Sequence, residues 1–205
     1  GAMRGAVESP WRRVLGRQFA LVLPLASLLV AAAFLPVPTH LWGVVQYPAV
    51  HTVLELVSII VATMVVGLGG TTAARRSVDN LGFLAVAMLV AAVLDLAHTL
   101  SYPGMPDLLG SADPERAIFF WMSARGVTAL ALLVMAWRPD GDFLVETPTQ
   151  RALLAVGSAA LVTLSLWVGM FHLDALPRTF VAGVGLTRFK VAAEYVLILI
   201  FAGAA

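Results

Sequence analysis

Cysteine is absent from this chain of 205 residues, and charged residues are scarce. The lack of cysteine excludes disulfides, thiolate catalysis and cysteine-based metal sites. Charged residues make up 12% of the chain, which is about half the share of an ordinary soluble domain. The formal net charge is only +1, so the chain lacks the overall positive charge that is typical of nucleic-acid-binding domains.

Hydrophobic residues make up 60% of the sequence, which leaves too little polar surface to cover a water-soluble globule. Crossing a bilayer as a helix takes about 20 apolar residues. Six stretches approach or reach this length: 18–36, 49–68, 82–100, 117–137, 152–171 and 189–205. The sequence therefore predicts an all-α, polytopic transmembrane helical bundle of at least six helices.

The sequence divides into a short N-terminal segment and one long domain. Residues 1–17 are predicted to be a cytoplasmic segment that opens with Gly-Ala-Met, a remnant typical of protease cleavage. Residues 18–205 are predicted to be one transmembrane domain, and further helices are expected after it because the last stretch is still apolar at its end. Eight arginines flank one side of the spans against four basic residues on the other, which predicts a cytoplasmic N-terminus. Asp113 and Pro114 predict the N-cap and first residue of the fourth helix.

Ionisable residues within the predicted spans gather toward one end of the bundle. His51 and Glu55 lie in the first two turns of the second stretch, four residues apart and on one face. Asp95 and His98 lie in the last two turns of the third stretch, which runs in the opposite direction. Ionisable groups inside a membrane are costly, so each is a functional-site hypothesis. Their shared depth predicts a polar pocket that opens toward the outer face of the membrane.

Two further stretches add polar residues to the same layer. Trp121 and Arg125 lie in the outer half of the fourth stretch, and Lys190 and Glu194 lie in the outer half of the sixth. We predict these four to be ligand-binding or charge-balancing residues. Three alternatives stay open. Arg125 could simply form a buried ion pair with Asp95 or Glu55. Lys190 could extend to the lipid headgroups, and Trp121 could be an interfacial anchor.

Two imidazoles and two carboxylates on adjacent antiparallel helices match the ligands of a divalent metal ion. We predict His51, Glu55, Asp95 and His98 to bind Zn²⁺, Cu²⁺, Ni²⁺ or Fe²⁺. A second hypothesis is a b-type haem with His51 and His98 as axial ligands. A third is an intramembrane metal-dependent hydrolase, which would use the cluster to activate a water molecule. Such enzymes usually have three histidine ligands, and only two histidines lie convincingly in this layer.

Four motifs in order resemble those of a bacterial membrane-associated sensor domain, the third family of that name. The motifs are HTVLELVSI at 51–59, DLAHTLSYPGM at 95–105, WMSAR at 121–125, and residues 185–190 followed by Glu194-Tyr195. The resemblance implies an N-terminal sensor module of histidine kinases or diguanylate cyclases, in the bacterial inner membrane, with its enzymatic output domain downstream. It implies that the fragment itself is a sensor and not an enzyme. The expected partners are the lipid bilayer, a metal ion or small ligand, and a second copy of the full-length protein.

Overall fold

The computed structural model describes residues 47–73, 79–137 and 147–204, together with residue 27. Five helices account for most of this part of the chain: α1 Tyr47–Ala73, α2 Asp79–Ser101, α3 Pro114–Ala136, α4 Pro148–Phe171 and α5 Arg188–Ala204. Between α4 and α5 lie a short 3₁₀ turn, Leu173–Ala175, and two strands, β1 Phe180–Val181 and β2 Gly185–Leu186. The strands pair antiparallel, with Phe180 opposite Leu186 and Val181 opposite Gly185.

Four of these helices are long and apolar enough to cross a membrane, namely α1 to α4. The all-α, polytopic prediction is therefore confirmed. The expected number of at least six helices is not supported, because all of the stretch 18–36 except residue 27 lies outside the described residues, and α5 has only 17 residues. Each described helix begins one to four residues before the apolar stretch that predicted it.

Side-chain caps explain where two of the helices start. Asp113 is the N-cap of α3 and accepts a hydrogen bond from the Glu115 backbone N–H, with proline in the first turn, as the sequence predicted. Thr147 caps α4 through a reciprocal pair of hydrogen bonds with Gln150. Both arrangements satisfy backbone N–H groups that have no partner inside the helix.

Helix α2 is the centre of the bundle and packs against α1, α3 and α4, while α5 packs against α3. Its buried face carries Val90, Leu94 and Ala97, which contact Phe120 and Ala124 of α3. Many buried core positions hold alanine, because small side chains let helices approach closely where lipid removes most of the hydrophobic drive for association.

The apolar side chains on the outer face of α1 are exposed, including Val53, Leu54 and Met64. A face of this composition suits hydrocarbon and not water. Side-chain contacts between helices show which helix ends meet. The starts of α1, α3 and α5 lie at the same end of the bundle as the ends of α2 and α4. We call this end of the bundle the polar end, because the ionisable residues that were predicted as site residues lie there.

Candidate metal centre and adjoining cavity

His98 is buried at the polar end, and one of its ring nitrogens has a defined role. Its Nδ1 lies 2.7 Å from the backbone carbonyl oxygen of Ala117. A carbonyl oxygen can only accept a hydrogen bond, so Nδ1 carries the proton and donates. In the neutral ring the lone pair is then on Nε2, which is the nitrogen that a metal ion would bind.

The Nε2 atom of His98 points toward α1, where it meets Glu55. It lies 3.8 Å from Glu55 Oε1, beyond hydrogen-bonding distance. Among the described residues, neither His98 Nε2 nor Glu55 Oε2 has a hydrogen-bond partner, although both atoms are buried. Buried polar atoms are normally satisfied because desolvation without a partner costs free energy.

His51 completes a cluster of three potential ligands. One ligand atom from each of His51, Glu55 and His98 lies within 4.8 Å of the others, and the two imidazole rings meet edge to face at 5.5 Å between centroids. The lone pairs of His98 Nε2 and of a Glu55 carboxylate oxygen face each other in a low-dielectric site. Such lone pairs repel unless a cation lies between them. The cluster can therefore hold a proton or a metal ion, and its nitrogen and oxygen donors suit a divalent transition metal.

Tyr102 adjoins this cluster, and sequence reasoning did not predict it as a site residue. Its ring centroid lies 4.5 Å from that of His51 and 6.4 Å from that of His98. The signal was the spacing of four residues after His98, which places both side chains on one face. The Ala117 carbonyl was also missed, since a backbone acceptor has no signature in the residue type.

Asp95 does not join the three-residue cluster, contrary to the predicted four-residue set. Both of its carboxylate oxygens accept hydrogen bonds from Arg125 Nη2, at 2.9 and 2.8 Å. The physical reason is charge: a carboxylate this deeply buried needs a cation, and the guanidinium of α3 supplies it. The alternative in which Arg125 neutralises Asp95 is therefore the arrangement in the structure.

The structure brings the other predicted residues together on the far side of this ion pair. Lys190 is buried, with its ammonium 2.5 Å from Glu194 Oε1 and 5.6 Å from the centroid of the Trp121 ring. It therefore contacts protein groups and does not extend outward as a headgroup anchor would. A cavity of about 410 Å³ lies between α3 and α5, lined by Trp121 and Arg125 of α3 and by Glu194 and neighbouring apolar side chains of α5.

Comparison with known proteins adds the family. No curated protein and no solved structure matched the chain. Residues 43–205 match the family called MASE3, a membrane-associated sensor domain. The match includes all five described helices, the three-residue cluster and the cavity beside it. The chain therefore belongs to the membrane-associated sensor domain family.

Proposed function

We propose that this chain is the sensing part of a bacterial signalling protein, and that His51, Glu55 and His98 bind a divalent transition metal ion, Zn²⁺, Cu²⁺, Ni²⁺ or Fe²⁺. The observation that carries the proposal is the state of His98. Its Nδ1 donates to the Ala117 carbonyl, which leaves Nε2 as a buried acceptor that faces a carboxylate. A metal-bound histidine typically donates a hydrogen bond from its second ring nitrogen in this way, because that bond orients the ring and raises its basicity.

The cluster offers three protein ligands, a number that suits a metal site able to respond to a small ligand. Three protein ligands leave a coordination position open to water or a small ligand. Metal bonds of about 2.1 Å place tetrahedral ligand atoms about 3.4 Å apart. Since the three ligand atoms lie within 4.8 Å of one another, binding would close the largest gap by up to about 1.4 Å and draw α1 toward α2.

This movement is our proposed first step of signalling. A ligand shifts a conformational equilibrium only by its difference in affinity for the two states. An ion held between α1 and α2 would favour the closed arrangement, and the change would pass through the bundle to a cytoplasmic output domain, a histidine kinase or a diguanylate cyclase. We further propose an N-terminus in the cytoplasm and a homodimeric full-length protein in the bacterial inner membrane.

The test is metal analysis of protein purified from membranes without chelator, followed by titration with each of the four ions. We expect near-stoichiometric binding that is lost in His51→Ala and in His98→Ala. His172→Ala is the matched control, because His172 lies at the end of α4 and packs on Trp167, with ring centroids 4.0 Å apart. Folded variants that retain wild-type metal binding would contradict the proposal.

The two alternatives are outcomes of the same preparation. A Soret absorption band lost in His51→Ala would assign the haem. The proposal of a single ion is supported by Glu55, which has a carboxylate oxygen within 4.8 Å of a ring nitrogen of each histidine. Metal-dependent turnover of a lipid-like substrate would assign the hydrolase. We propose binding without catalysis, in keeping with the sensor family.

A further inference from the structure

The cavity between α3 and α5 shares no side chain with the three-residue cluster of His51, Glu55 and His98. Its volume is about 410 Å³, and the lining is mostly apolar, with Trp121, Arg125, Val191, Glu194, Ile198 and Phe201 among its residues. A volume of this size lies within the range of small-molecule sites. We infer that this cavity is a second binding site, which takes a neutral carbonyl-bearing molecule with an apolar body.

Arg125 supplies hydrogen-bond donors to this site. A guanidinium carries five N–H donors. Within the described part of the chain, Arg125 uses only Nη2, which donates to both oxygens of Asp95. The three N–H groups on Nε and Nη1 remain for a ligand, and Arg125 lines the cavity.

The charge around the cavity selects a neutral headgroup. Arg125 is paired with Asp95, and Lys190 is paired with Glu194. An anionic ligand would meet two cations that are already neutralised and would lie near two carboxylates. A cationic ligand would meet the unused donors of Arg125. A carbonyl oxygen accepts from those donors without adding charge, and the Val191, Ile198 and Phe201 side chains suit the apolar body.

Two kinds of membrane-soluble molecule combine a neutral carbonyl group with an apolar body: quinones, and ordinary lipids through their ester groups. The experiment separates them by tryptophan fluorescence titration in an alkyl maltoside detergent, which contains no carbonyl group. One arm uses a short-tailed benzoquinone. The other compares a short-chain diacyl phosphatidylcholine with its dialkyl ether analogue, which has the same shape but lacks the carbonyl oxygens.

We expect saturable binding of at least one carbonyl probe, and about fivefold or greater preference for ester over ether if the lipid is that probe, since one hydrogen bond contributes roughly this factor. Tighter binding of the quinone would assign a quinone site, and tighter binding of the ester would assign a lipid site. Equal binding of ester and ether with no quinone binding would overturn the inference, because the cavity would then be an apolar groove without headgroup recognition.

Substitutions place the binding in the cavity. Ile198→Trp fills the cavity without altering a charged group, and we expect at least tenfold weaker binding of the carbonyl probe. Leu199→Trp is the matched control, since Leu199 is an exposed neighbour on α5. Arg125→Lys keeps a cation beside Asp95 but removes the planar donors, and should also weaken binding. Wild-type affinity in Ile198→Trp would overturn the inference, and metal binding measured on the same samples keeps this result separate from the metal proposal.

Discussion

At the scale of single residues, the polar end depends on how each buried charge or lone pair is satisfied. Asp95 and Arg125 satisfy each other, and Lys190 and Glu194 do the same. Glu55 and His98 approach without forming a hydrogen bond. The unprotonated Nε2 of His98 and a carboxylate oxygen of Glu55 would each direct a lone pair at the other, which is favourable only when a cation lies between them.

This pair yields a prediction with two opposite effects for Glu55→Gln. The amide N–H can donate to His98 Nε2, so the metal-free protein should be as stable as the wild type or gain about 1 kcal/mol in free energy of unfolding. The amide is a poor metal ligand, so metal affinity should fall by about 100-fold or more. Thermal unfolding with and without the ion would measure both effects.

Asp107→Asn is the control for this substitution, since Asp107 is an exposed carboxylate in the loop after α2. It should change neither stability nor metal affinity. If Glu55→Gln destabilises the metal-free protein while Asp107→Asn does not, Glu55 acts through an ion pair with protonated His98, and the lone-pair description is wrong.

At the scale of helices, hydropathy predicted α1 to α5 within a few residues of their starts, because long apolar runs follow directly from the needs of a bilayer. The starts were predicted late because capping segments such as Asp113-Pro114-Glu115 are polar. The shared depth of His51, Glu55 and His98 predicted that they would meet, and they do.

Spacing along one helix did not predict the partner of Asp95. His98 follows Asp95 by three positions. At 3.6 residues per turn, the two side chains therefore point about 60° apart around the helix axis. Whether that angle turns Asp95 toward α1 or toward α3 depends on how the helices pack, and the Arg125 guanidinium on α3 decides it. A single sequence contains the residues of that contact but not the rotation of the helices.

The contact between α3 and α4 gives a prediction about packing. A Cβ added at Gly169 would lie 2.5 Å from Phe120 Cζ, and Phe120 is fully buried. Gly169→Ala should therefore cost about 1–3 kcal/mol in free energy of unfolding, as overpacking does. Unfolding in mixed micelles with increasing dodecyl sulfate would measure it.

Gly157→Ala, on the same helix, is the matched control. A Cβ at Gly157 meets no atom within 4 Å, so this change should raise stability by up to about 1 kcal/mol through helix propensity. Equal effects of the two substitutions would show that α4 does not pack on Phe120 as described.

At the scale of the whole molecule, α1 differs from the other helices. Among the described helices it packs principally on α2, and none of the residues in its membrane-spanning part is fully buried. Helices with few buried contacts open locally at low free energy. The proposed metal ligands lie at the start of this helix and at the end of α2, so an ion would join the least buried helix to the centre of the bundle.

Hydrogen exchange followed by mass spectrometry tests this joining. If the ion binds only when α1 is docked, exchange in the first turns of α1 should slow by the factor one plus the ratio of free metal to its dissociation constant, about 100-fold at 100 times that constant. Peptides from α4, which packs on α2 and α3, should change little, and Glu55→Gln should abolish the effect. Uniform slowing across all helices would instead mean that the metal stabilises the fold as a whole, and α1 would not be the helix that responds.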